Sequence, residues 1–254
     1  MSTLRARCPH CRTLTAVAFD DSYECHSCGA AFAAGLVRVP RAWGAGGEPM
    51  VEAASTALPY PDALVVERET LEEQNAALAA GLPSRPLVLG GCCCAHVGAI
   101  RGLAARHRRL AVIWLDAHGD LNTPESSPSG NLWGMPLRMA IDEGSVRTDD
   151  VALVGARDLD PPEHAYVAEH GIDDDLSRAL DGADAVYVAL DLDVLEPGPL
   201  PVFMPAPGGL ALDDVERLLL EAASRRRVAG LGLTGLAPGA DRAILEGLAA
   251  AAGL

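Results

Sequence analysis

Seven short apolar runs recur along the chain, at residues 36–39, 63–66, 86–89, 111–115, 151–154, 185–190 and 228–233. Apart from Arg38 in the first, each is apolar throughout, without the polar alternation of a strand that faces water on one side, so each suits a strand covered on both faces. Helical stretches lie between them. Residues 71–80 open with a capping box, Thr70 as N-cap and Glu73 three residues on, and stop at Gly81 before Pro83. Residues 212–226 and 243–251 are amphipathic at helical spacing. Strand, helix and strand repeated in this way predict an α/β fold with a mostly parallel sheet. The 254 residues suffice for one such domain with a small appendage, and two full domains would be a tight fit. The stretch from Gly44 to Gly47 is expected to be flexible.

The net charge is −15, and all 20 basic residues are arginine. A chain without lysine has no Schiff-base amine and no Walker-type lysine. With so acidic a balance it also lacks the basic face that nucleic acid needs. No run of about 18 apolar residues offers a membrane span, and the first residues have no apolar core of a signal peptide, so the expected compartment is the cytoplasm.

Four of the seven cysteines stand in two Cys-x-x-Cys pairs, Cys8 with Cys11 and Cys25 with Cys28, separated by 13 residues that include the turn-like Asp20, Asp21 and Ser22. Each pair can bend its backbone so that both thiolates meet one tetrahedral zinc, and four thiolates leave no open position for catalysis. Residues 1–36 are therefore expected to form a zinc ribbon with a structural Zn²⁺, and residues 37–254 the α/β domain. Arg5, Arg7 and Arg12 balance Asp20, Asp21 and Glu24. The ribbon thus has no electrostatic case for nucleic acid, and docking of a protein partner or stabilisation is the expected role.

Chemistry gathers after the strands, where ligands collect in open α/β sheets. The run 111–115 leads into Asp116, His118 and Asp120, and the run 185–190 into Asp191 and Asp193. Spacings of two put these side chains on one face of extended backbone. Four carboxylates and an imidazole would repel one another without cations, whereas hard divalent ions accept such a set, and a pair of ions sharing bridging carboxylates satisfies it best.

The ordered segments Asp116 to Pro124, Ser129 to Pro136, Arg157 to Asp160, Asp191 to Asp193 and Pro207 to Leu210 resemble the signature of the arginase and agmatinase (ureohydrolase) superfamily. The resemblance implies a three-layer αβα fold with an eight-stranded parallel sheet, a homo-oligomer, and two Mn²⁺ ions. Asp116 and Asp191 would bridge them, His118, Asp120 and Asp193 would each hold one, and a metal-bound hydroxide would attack a small molecule at a trigonal carbon and break its C–N bond. Asp116 and Asp120 are on this reading the catalytic carboxylates. Asn122, Ser129 and Asp160 would hold an amino-acid end of the substrate.

Three positions depart from that pattern. Cys93 replaces the first metal-binding histidine, a softer donor that tilts its position toward Zn²⁺. Cys92 to Cys94 could equally be inert buried thiols, and His96 either substitutes as a ligand or is simply solvated. Trp133 stands where arginases carry a proton-shuttling histidine, and is expected to line the substrate pocket. Gly235 stands where the family supplies a glutamate to the guanidinium. Arginase activity proper is thus not expected. The primary expectation is a metal-dependent hydrolase of an amidino, formimino, ureido or amide compound; the alternative is a noncatalytic homologue kept for assembly or partner binding.

Overall fold

In the computed structural model the described residues are 5–20 and 22–254; Asp21, within the turn expected between the cysteine pairs, lies outside them. The chain begins with a small antiparallel sheet in the order β1 (Arg5–Ala6), β2 (Ala16–Phe19), β3 (Ser22–Cys25), β4 (Ala31–Phe32). The large sheet follows from β5 (Gly35–Val39), so Gly35 and Leu36 already belong to it. Its further strands are β6 (Asp62–Val65), β7 (Pro86–Gly90), β8 (Leu110–Leu115), β9 (Val151–Val154), β10 (Ala185–Asp191) and β11 (Arg227–Thr234). They lie in the order β6-β5-β7-β11-β10-β8-β9, and every pair is parallel.

Continuous apolarity has the expected cause in every run but β6, which lies half-buried at the sheet edge with Val65 exposed. In β8, Ala111, Ile113 and Leu115 enter one core cluster, to which α1 (Glu48–Ala53), α6 (Leu176–Leu180), α7 (Leu212–Arg225) and α8 (Arg242–Ala251) contribute. Val112 and Trp114 of the same strand enter a second cluster on the other face, built with α2 (Leu71–Gly81), α3 (Cys94–Ala104) and α4 (Pro136–Asp142). Helix, sheet and helix therefore form three layers. The capping box of α2 is present, with the Glu73 amide donating to Thr70 Oγ1 and the Thr70 amide to Glu73 Oε2, each at 3.2 Å.

The sheet has seven strands among the described residues, not the eight that the family resemblance implied. After α5 (Pro161–His170) the chain makes one isolated parallel bridge from Asp173 to Ala152 beside β9 and goes no further as strand. The local sequence explains this. Ile172 is followed by Asp173, Asp174 and Asp175, and three consecutive carboxylates cannot be buried in a parallel edge.

Candidate metal centre

Four neighbouring strands, β7, β11, β10 and β8, end at one place, and the polar residues that follow them meet there. The floor of a cavity of about 220 Å³ is made by Cys93, Asp116, His118, Asp120, Asp191 and Asp193, and its wall includes Met50, Trp133 and Phe203. The site residues expected from the sequence are all brought to this cavity, Asn122, Ser129 and Asp160 included.

Candidate ligand atoms fall into two groups. Cys93, Asp116 and Asp120 offer atoms within 4.8 Å of one another, and so do Asp116, His118 and Asp193. Asp116 belongs to both. It is held as a fixed fork: the Trp114 indole Nε1 donates to Oδ2 at 3.1 Å and the His118 amide to Oδ1 at 2.7 Å. The Ala117 amide donates to Asp193 Oδ1, and the Asp193 amide to Asp191 Oδ1, each at 3.0 Å. Asp191 Oδ2 accepts from Cys93 Sγ at 2.8 Å and from Thr234 Oγ1 at 3.1 Å. His118 Nδ1 lies 3.3 Å from Asp116 and 3.1 Å from Asp193, while its Nε2 faces Asp158 at 4.0 Å. That orientation suits a ligand that gives one nitrogen to a metal and the other N–H to a carboxylate.

The donor set fits divalent cations. Asp116, Asp120, Asp191 and Asp193 are all buried, and His118 can bring at most one positive charge to four carboxyl groups. Asp120 Oδ2 has no hydrogen-bond partner although it is buried, and a buried carboxylate oxygen left bare costs free energy that a cation would recover. Asp120 also takes a left-handed backbone, φ 53°, which turns its carboxyl into the cavity at a cost that aspartate bears better than most residues.

Without a cation the cluster holds protons tightly. Burial raises Asp116, Asp120, Asp191 and Asp193, with carboxylate neighbours adding to it, and brings Asp191 to about 7. Burial pulls the His118 imidazole down, but Asp116 and Asp193 outweigh it and lift it to about 12. A carboxyl raised in the folded state makes folding less favourable as pH climbs through the interval between its unfolded value and the folded one, because the native chain binds more protons there. Metal-free protein is therefore expected to gain stability relative to its Asp191→Asn variant as pH falls from about 7.5 to about 5, by up to about 1.4 kcal/mol per pH unit for one proton. Parallel denaturant titrations of the two proteins measure it, and identical pH slopes would remove Asp191 as the group responsible.

His96 is neither ligand nor solvated. It is fully buried, its ring nitrogens meet the Tyr187 hydroxyl at 2.9 Å and Thr234 Oγ1 at 3.1 Å, and burial drops it to about 3. It braces Thr234, which in turn holds Cys93 and Asp191. Nor is the segment from Gly44 to Gly47 free. The Ala45 amide donates to Asn131 Oδ1 at 3.0 Å, the Leu132 amide to the Trp43 carbonyl at 2.9 Å, and a Cβ at Gly44 would come within 2.3 Å of the Trp133 ring. A glycine there lets the backbone lie flat on the indole, which meets Phe203 edge-on at 5.7 Å between ring centroids.

Asp160 N-caps α5 and accepts from Asn122 Nδ2 at 2.8 Å. Glu163 had no place in the sequence reading, yet it binds the Leu121 amide at 2.9 Å and the Asp160 amide at 2.8 Å and so fixes the loop that carries Asp120. Its position at N3 of a helix capped by Asp160 was the available signal. Trp114 and Thr234 gave none, since both read as ordinary strand residues.

The family model described as Arginase family matches residues 50–253. Arginase from Bacillus subtilis (strain 168) is 37% identical over 155 residues, covering 50% of this chain and 52% of the relative. The chain spans about half the length of the curated relatives it matches. Among solved structures, arginase from Bacillus subtilis superimposes with a TM-score of 0.68 at 25% identity over 85% of this chain and 95% of the other. Proclavaminate amidino hydrolase from Streptomyces clavuligerus gives 0.65 at 22% identity, over 86% and 88%.

Proposed function

Since the chain belongs to the arginase family, we propose that it is a hydrolase dependent on two divalent ions, which cleaves a C–N bond in a small amidino, formimino, ureido or amide compound. The observation that carries this reading is the position of Asp116, common to two groups of candidate ligand atoms on one cavity floor. Asp116, His118 and Asp193 would hold one ion, for which manganese suits the oxygen and imidazole donors, and Cys93, Asp116 and Asp120 the other, with Asp191 beside both. When bound, the pair would lower the pKa of water enough to supply a nucleophile at neutral pH.

The protein's own groups set what can be bound. A cavity of about 220 Å³ admits a small molecule and little more. Trp133 and Phe203 close one side with aromatic surface and exclude water, while Ser129, Asn122 and Asp160 offer hydrogen bonds for the substrate's polar end. Trp133 has no acid to give a departing nitrogen, and Gly235 offers no carboxylate to a guanidinium. Both favour a substrate less basic than arginine and argue against arginase activity proper. The test is elemental analysis of purified protein after manganese loading, followed by assay of urea, ammonia and formamide release across guanidino, formimino and ureido amino acids. Protein that takes up no metal in the pocket would defeat the proposal, and protein that takes it up yet releases none of these products from any of them would favour a noncatalytic homologue.

Cys93 carries a further expectation. A thiolate strengthens binding of softer ions, so Cys93→His is expected to narrow the preference for zinc over manganese in the pocket. Equimolar competition read by elemental analysis measures this, and an unchanged ratio would mean that the thiol is not a ligand.

A further inference from the structure

The match to the arginase family begins at residue 50, and the four cysteines of the N-terminal sheet lie before it. All are free thiols, and their sulfurs lie within 4.8 Å of one another. Cys8 and Cys28 are 3.8 Å apart, Cys11 and Cys25 3.6 Å. A tetrahedron with Zn–S bonds of about 2.3 Å has edges of about 3.8 Å, whereas a disulfide would bring the sulfurs to about 2.05 Å.

The backbone repeats the same turn at both pairs. The Arg12 amide donates to the Cys8 carbonyl at 3.0 Å, and the Cys8 amide to the Thr13 carbonyl at 2.9 Å; the Gly29 amide donates to the Cys25 carbonyl and the Cys25 amide to the Ala30 carbonyl, both at 2.8 Å. Arg12 and Gly29, each four residues after its first cysteine, share a left-handed backbone, φ 63° and φ 72°. Glycine adopts it freely. Arginine does so at a cost of about 1–2 kcal/mol, a strain that persists only where the surroundings impose it.

Among the described residues of this unit nothing else is large enough to impose it. Its buried core is Ala6, Cys8, Ala16, Tyr23, Cys25 and Phe32, two of them from the four cysteines themselves. So small a core does not hold a fold without a metal or a disulfide.

The unit also has a definite seat. Arg7 and Asp62 exchange backbone hydrogen bonds at 3.3 and 3.2 Å, which adds the end of β1 to the start of β6, the outermost strand of the large sheet. Ala63 of β6 packs on the small core, and the Tyr23 ring lies against Gly35 at the start of β5. These contacts are at the amino ends of parallel strands, and the metal cavity is at their carboxyl ends.

We propose that Cys8, Cys11, Cys25 and Cys28 bind one structural zinc ion, and that this ion folds the N-terminal sheet into a clamp over the β6 edge, independently of the cavity metals. An uncovered edge strand is a template for pairing with other chains, so losing the ion should loosen β6 and promote aggregation while leaving the cavity intact.

The experiment uses the full chain. Elemental analysis is expected to find one zinc that survives in Asp120→Ala, Asp193→Ala protein and is lost in Cys25→Ser, Cys28→Ser protein. Hydrogen exchange in the latter should rise at β1 and β6 and stay unchanged at β8 and β10. Should that variant not fold, wild-type protein treated with a thiol-specific reagent should release one zinc as four thiols react. Zinc unchanged by the cysteine substitutions, two disulfides found by mass analysis, exchange unchanged at β6, or thiol modification without zinc release would each overturn the proposal.

Discussion

Asp116→Ala is expected to abolish the proposed hydrolysis and to prevent uptake of both proposed ions by the pocket. Loss of an outer partner of a metal ligand costs about 10- to 100-fold in affinity or activity, and a carboxylate common to two ligand groups should cost more than that. Stability should move differently in the two forms. In metal-free protein the substitution leaves the Trp114 indole N–H without its acceptor, at about 1–3 kcal/mol, but also removes a desolvated carboxyl that Asp191 disfavours. The two effects oppose one another, so the metal-free variant is expected to stay near wild-type stability. In the presence of manganese the wild type alone gains binding energy, so a difference in melting temperature should open with metal concentration. Elemental analysis, turnover and thermal unfolding with and without manganese give the three readouts. A variant that kept two ions per pocket and wild-type turnover would show that Asp116 is not common to both.

How much of this was legible without coordinates depended on whether a residue's role could be seen from its chain neighbours. Six of the seven strands were, because burial leaves an apolar run that does not alternate; β6 is apolar too, yet it lies half-buried at the sheet edge with Val65 exposed. The capping box of α2 was, because Thr70 and Glu73 act across three residues. Asp116, His118 and Asp120, and Asp191 and Asp193, showed themselves through spacing at strand ends. What failed was everything set by a distant contact. His96 looked like a solvated or ligating residue at a helix start, and only Tyr187 and Thr234, on strands remote in sequence, make it a buried brace. The glycines at 44 and 47 looked like a flexible stretch, since nothing nearby in the chain announces the Trp133 ring that they lie on. The eighth strand is implied by the family resemblance alone, and Asp173, Asp174 and Asp175 stand against it at the edge where it would lie.

Gly235 is the departure with the sharpest consequence. Placing there the glutamate that the family resemblance implies, by Gly235→Glu, is expected to lower the proposed activity, by about 10- to 100-fold as with damage to a ligand's support, and not to confer arginine hydrolysis. The backbone there has φ 71°, which costs an L-residue about 1–2 kcal/mol. A Cβ would stand 1.9 Å from Asp191 Oδ1 and 2.5 Å from its Cγ. Relief by turning the backbone is opposed by the Phe203 amide, which donates to the Gly235 carbonyl at 2.7 Å. Relief by moving Asp191 breaks its bonds from Cys93, Thr234 and the Asp193 amide, the contacts that hold it beside the metal ligands. The harm thus comes from the first carbon of any side chain, so Gly235→Ala should lose pocket metal and turnover as severely as Gly235→Glu. Kinetics and elemental analysis of the two variants together separate the causes. A harmless alanine with a harmful glutamate would place the damage in the added charge, and arginine hydrolysis gained by the glutamate would mean that the site still tolerates the geometry from which, on this structure, Asp191 has excluded it.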